Sequence, residues 1–285
     1  MNRPISIIAG AIALAAASQA SAALTQANTP GGSSLTLSVW DDVRAVSYTR
    51  NLGPNLNAFL PTGFNTLPND GTVPGVSVSG DKTPAAGLNL SFAGDALFVS
   101  TFSPSLAGNV KWNIAAVDNQ ASTATGLSRV ITTAVARPNT VNGGIGGIGT
   151  GFTNYTNSLI INSNISQPGI NSAVYLDNTI AAYAGSGQWG DSLGGGLQGT
   201  STASGFGSEL AFFYLARTVV QGATATFATN LQYGNDVNFA SWTLGSDGTA
   251  TYNLSPVPLP GAVWLMGSGL FAVLAAARRR KAVTA

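Results

Sequence analysis

The segment Phe239–Leu254, FASWTLGSDGTATYNL, constrains the fold more than any other stretch of this sequence. Ala240, Trp242 and Leu244 alternate with other residues before the turn Gly245-Ser246-Asp247-Gly248, and Ala250, Tyr252 and Leu254 alternate after it. Successive side chains of a β-strand point to opposite faces, so each arm presents one apolar face, and Asp-Gly between two such arms is a strong hairpin signal. A helix repeats every 3.6 residues and would scatter these side chains around its circumference.

The same period runs through SLTLSVW (Ser34–Trp40), with Leu35, Leu37 and Val39 on one face. Strands are also predicted at Val43–Arg50, Ala96–Phe102, Val110–Val117 and Arg129–Ala136, which are rich in β-branched and aromatic residues. Turn formers separate them: Asp41-Asp42, Gly94-Asp95, Ser103-Pro104 and Asp118-Asn119. Only Thr156–Ile165 and Ala173–Ala184 have any helical look. Two glycine-rich segments, Gly143–Gly151 and Gly185–Gly207, read as long loops, the second as the most mobile part of the domain. The expected fold class is therefore all-β, an antiparallel β-sandwich, jelly-roll-like or otherwise, with glycine-rich loops.

Both ends of the chain read differently. Residues 1–22 have the layout of a secretory signal peptide: Arg3, an apolar stretch over Ile5–Ala17, then Ala20-Ser21-Ala22, where Ala20 and Ala22 define an A-x-A cleavage site. At the other end, Gly261–Ala277 is an uncharged, mainly apolar run of 17 residues, at the short limit for a transmembrane helix. Trp264 suits one membrane interface. Arg278, Arg279, Arg280 and Lys281 form a basic stop that the positive-inside rule places in the cytoplasm. About 235 residues lie between these signals, enough for one sizeable exported domain over 23–256.

With the terminal cations Arg3 and Arg278–Lys281 set aside, seven basic residues face eleven acidic ones, a net charge of −4. A nucleic-acid partner is not expected, because phosphate binding needs a basic face. Charged residues make up 8% of the chain, against about 25% in ordinary soluble domains. Ser, Thr, Asn and Gly solvate the surface instead, which suits an extracellular matrix. The chain has no cysteine and no histidine. Disulfides, thiolate chemistry, imidazole general bases and Ser-His-Asp triads are thereby excluded.

The remaining chemical candidates each have a plainer structural reading. Gly144, Gly146 and Gly149, and again Gly185, Gly187 and Gly190, fit G-x-G-x-x-G, but neither set is followed by a good helix for a pyrophosphate. Asp191 and Glu209 flank the second glycine segment and could pair for glycoside hydrolysis, with Trp189 stacking on a sugar. The plainer reading makes Asp191 a loop residue, Glu209 a strand-start charge and Trp189 a partly buried anchor for the loop. Asp41-Asp42, Asp70 and Asp247 lack the spacing of a calcium loop and read as turn formers. Trp40, Trp112 and Trp242 read as core before they read as sugar platforms. Asn89, Asn154, Asn164 and Asn253 fit N-x-[ST], a chance match in so Asn-rich a chain. No cofactor and no metal is expected.

Val257-Pro258-Leu259-Pro260, then the apolar run with Trp264 and Gly267–Leu270, then the basic cluster, form three parts in fixed order over 257–285. This tail resembles the PEP-CTERM sorting domain in its VPLPA variant. Leu259 stands where the commoner tail has Glu, and Gly261 where VPLPA has Ala. Looser similarity to proteins with such tails extends to Ser38–Gly53, Val110–Asn119 and Ser241–Asn253. The resemblance implies a Gram-negative, exopolysaccharide-producing bacterium and an exosortase as partner, with this chain as its substrate. The precursor would sit in the inner membrane and the mature form at the cell surface or in extracellular polysaccharide. Pro258 and Pro260 fix φ and lack N–H groups, which keeps the motif extended for a protease. The expected function is a non-enzymatic structural or adhesive matrix protein. The alternatives are a carbohydrate-binding lectin-like module and, third, a matrix glycosidase.

Overall fold

A computed structural model describes residues 23–29, 31–59, 90–102, 108–119, 128–163, 165, 167, 169–218, 223–234 and 238–256. Their strands are β1 (Ser34–Asp41), β2 (Val46–Asn55), β3 (Leu90–Phe92), β4 (Val110–Asp118), β5 (Arg129–Ala134), β6 (Ser172–Tyr175), β7 (Glu209–Ala216), β8 (Thr229–Gln232), β9 (Asn238–Leu244) and β10 (Ala250–Pro256). All pairings are antiparallel. Nine strands follow the order β3-β10-β9-β7-β5-β4-β1-β2-β6, and β8 pairs with β7.

The all-β antiparallel expectation is therefore met, but the strands form one curled, hydrogen-bonded sheet and not two separate stacked sheets. Its concave face carries Leu37, Val39, Tyr48, Trp112, Phe212, Trp242 and Tyr252 in one core. Its convex face carries Trp40, Val117, Val130, Phe213 and Leu215 in a second. Period-two alternation fills both cores from the same strands, which is why the residues between the predicted apolar positions are themselves buried.

Among the described residues, three α-helices accompany the strands, α1 (Leu56–Phe59), α2 (Ala96–Thr101) and α3 (Asn142–Asn162), with a short 3-10 turn at Gly190–Ser192. The predicted strand Ala96–Phe102 is instead α2. Asp95 is its N-cap, accepting from Phe98 N at 2.8 Å, and this local bond outweighs the β-propensity of Phe98 and Val99. Phe98 points into the concave core, while Leu97 and Val99 face outward. The other oxygen of Asp95 accepts from Tyr48 Oη at 2.8 Å, and Arg50 donates to the carbonyl of Ala93. Arg44 donates to Thr101 O at 2.9 Å. Since β3 pairs with β10 and these contacts reach β2, the segment ties the two ends of the curled sheet together.

The predicted loop Gly143–Gly151 is the first half of α3. Ile145, Ile148, Phe152, Tyr155 and Leu159 recur at helical spacing and are fully buried on the convex face. At its start, Asn142 N and Gly143 N donate to Thr226 O and Thr224 O, which satisfies donors a helix leaves free. The helical reading of Thr156–Ile165 covers the end of this element. Ala173–Ala184 holds most of β6 and a run of turns, so its helical reading is overturned.

The predicted hairpin Phe239–Leu254 forms with its turn at Gly245–Gly248, and its register sets Trp242 opposite Tyr252 and Leu244 opposite Ala250. Gly248 N closes the turn on Gly245 O at 2.9 Å. Gly248 has φ +81°, and its missing Cβ makes room for the Phe98 ring.

Candidate functional site

The expected sorting motif Val257, Pro258, Leu259 and Pro260, the expected basic stop Arg278, Arg279, Arg280 and Lys281, and the expected cleavage pair Ala20 and Ala22 lie outside the described residues. So do the Gly261–Ala277 run, Asp70, Asn89 and Asn164. Among the described residues, no helix is long and apolar enough to cross a membrane. What the structure does place is the residue that leads into the motif. Pro256 ends β10, opposite Asn238 of β9.

Proline is tolerated there for a geometric reason. Gly245 N bonds Thr249 O, so hydrogen-bonded pairs of this hairpin fall on the odd residues of β10. Pro256 belongs to the other set, whose N–H positions point away from β9. It therefore removes no bond from the ladder.

The residues singled out for chemistry have separate structural partners. Asp191 pairs with Lys111 at 3.2 Å on the surface. Glu209 accepts from Ser241 Oγ. Asp41 accepts from Val43 N and Arg44 N at 3.0 and 3.2 Å, as a turn former does. Asp247 accepts from the backbone N–H and the hydroxyl of Thr249, which hold its carboxyl below the usual range. Among the described residues, no group of three or more carboxylates could hold a metal ion.

Trp40, Trp112, Trp189 and Trp242 are all buried, so none offers a face to a sugar. Trp189 goes further than the partly buried anchor expected: its exposure is 0%. It stacks on Tyr155 with ring centroids 5.5 Å apart and planes 8° from parallel, and Phe152 packs edge-on at 4.8 Å. Its indole N–H donates to Ser38 Oγ at 3.1 Å. Ser38 and Thr49, on adjacent strands, both hydrogen-bond the Tyr155 hydroxyl. Burial pushes that phenol well above its ordinary pKa, and the Ser38 and Thr49 bonds only partly oppose the shift. A neutral hydroxyl locked in this way holds α3 and the second glycine segment on the sheet.

The second glycine segment is thus a packed layer of turns, with Trp189, Leu193 and Leu197 inside. Gly144 and Gly185 of the two G-x-G-x-x-G strings, and Gly151 just after the first, serve this packing, while Gly146 and Gly187 have open space at their Cβ sites. A Cβ at Gly144 would fall under 3.0 Å from Gly196 O, and one at Gly151 under 3.0 Å from Gln188 O. Gly185 meets Trp40 and Tyr183 in the same way.

Comparison with protein-family models, curated proteins and solved structures finds no match to this chain.

Proposed function

We propose that this chain is the precursor of a non-enzymatic, exported surface or matrix protein, sorted by an exosortase through residues 257–285. Residues 1–22 direct export. Gly261–Ala277 holds the precursor in the inner membrane as a single spanning helix, and Arg278–Lys281 stop transfer. The observation that carries the reading is the order of the three tail parts, which begins at the residue after β10.

The position of the tail supports it. Every described strand lies between Ser34 and Pro256, so loss of residues 257–285 leaves all of them intact. The mature domain then acts through its weakly charged, hydroxyl- and amide-rich surface, in a structural or adhesive role within extracellular polysaccharide. Burial of the four tryptophans in the domain removes the support that stacking would have lent to lectin and glycosidase readings.

The test replaces Pro258 and Pro260 by Ala, which preserves the apolar run and the basic cluster. In a strain with an exosortase, the wild type is expected to lose its tail and reach the surface, while the double variant stays full-length in the inner membrane. Without the exosortase, both stay full-length. Identical size and location of wild type and variant in the first strain would overturn the proposal.

A further inference from the structure

The described acidic residues are segregated along the strands. Asp41 and Asp42 lie at the end of β1, Asp95 and Asp177 follow β3 and β6, Glu209 opens β7 and Asp247 sits in the β9–β10 turn. The antiparallel registers bring all of these to one end of the sheet: Asp41 faces Val46, Ser47 faces Tyr175, Glu209 faces Thr243 and Ala250 faces Phe92. Asp191 joins them through Lys111, at the start of β4. Of the eight acidic residues described, only Asp118 lies at the other end, paired with Arg129; Asp70, Asp81 and Asp236 lie outside the described residues. Arg44, Lys111 and Arg50, whose guanidinium reaches Ala93 O beside Asp95, are the cations described at the acidic end, which leaves its described residues a net charge of −4.

The last strand stops at the opposite end. Pro256 faces Asn238 there, alongside Ala216, Arg129 and the start of β1. Four residues separate Pro256 from the apolar run at Gly261. Fully extended, they reach about 13 Å.

From these two placements we infer that the membrane-held precursor stands on the end of the sheet where β10 stops, with its acidic pole outward. The inference rests on the tail reading of the previous section. The short connection keeps the Pro256 end near the bilayer. A lipid surface rich in anionic headgroups repels the acidic pole within roughly one Debye length, about 8 Å at physiological ionic strength. Tether and charge therefore select the same orientation. It turns the β1–β2 and β9–β10 turns, and the exposed Val43 and Leu176 beside them, toward the outside.

The absence of cysteine makes a direct measurement possible. Single variants Asn28→Cys and Ser246→Cys put a donor dye at an exposed position on each end. Asn28 neighbours Ala27, whose carbonyl accepts from Asn119 just after β4, and Ser246 is in the β9–β10 turn. The full-length chain is reconstituted in vesicles of phosphatidylethanolamine and phosphatidylglycerol with an acceptor on the headgroups. Seven residues of β10 at about 3.4 Å each separate the two ends by roughly 24 Å. Strong transfer from Asn28 and weak transfer from Ser246 are expected, with a smaller difference after Asp177→Asn and Asp247→Asn. Equal transfer, or stronger transfer from Ser246, on vesicles that carry the chain overturns the orientation alone. A chain that does not float with the vesicles overturns the tail reading and the orientation with it.

Discussion

Trp189→Ala is expected to destabilise the domain by about 3–5 kcal/mol, the range for truncating a buried aromatic side chain. For a domain of this size that lowers Tm by roughly 6–20 °C. The loss has two physical parts. Phe152 and Tyr155 lose the ring they pack against, and Ser38 loses the indole N–H that it accepts. Trp189→Phe restores most of the packing and none of the hydrogen bond, so it should fall between wild type and Trp189→Ala. Thermal unfolding followed by circular dichroism makes the comparison. A Tm change below about 2 °C for Trp189→Ala, worth under roughly 1 kcal/mol, would show that the second glycine segment is a solvated loop.

The second large effect separates glycines that look alike in sequence. Gly196→Val is expected to cost about 2–4 kcal/mol, because its Cβ would fall under 3.0 Å from the Ile148 side chain and from Gly144 O. Backbone cannot move aside as a side-chain tip can, so α3 and the segment beneath it must separate. Gly147→Ala should do the reverse. Gly147 is an exposed position within α3, nothing lies within 4 Å of its Cβ site, and its φ is ordinary. Replacing it by Ala should stabilise the protein by about 0.5–1 kcal/mol, the helix-propensity difference. If both substitutions shift Tm in the same direction, the packing of α3 described above is wrong.

These glycines also explain what sequence patterning does and does not reveal here. The hairpin was legible because Trp242, Leu244, Ala250 and Tyr252 keep a strict period of two around an Asp-Gly turn, and one burial face demands it. Helix α3 was hidden because Gly143–Gly151 has poor helix propensity, and long loops and close-packed helices use the same residue. The signal that reveals it is the spacing of Ile145, Ile148, Phe152, Tyr155 and Leu159, which continues through the glycines into the region read as helical. Tertiary packing supplies the stability that propensity lacks.

Helix α2 was misread for a different reason. ALFVST alternates well enough for a strand, and only the Asp95 side chain at its N-cap, fixed by Tyr48 from a distant strand, decides for helix. Such a nonlocal partner leaves no trace in a local pattern. The burial of Trp189 is similar, since Ser38 lies 151 residues away in the chain. The tail proposed for sorting is the opposite case. Its parts are contiguous and ordered, so it is read from sequence alone, and it lies outside the residues the structure describes.

The central claim is that the chain is trimmed at this tail, and the C-terminus of the native protein tests it most directly. Mass spectrometry of the protein purified from surface and matrix fractions should find an N-terminus near Ala23 and a C-terminus close to Val257–Pro260, with no peptide from Gly261–Ala285. A native protein that ends at Ala285 and remains in the inner membrane of a cell with an active exosortase would contradict the claim.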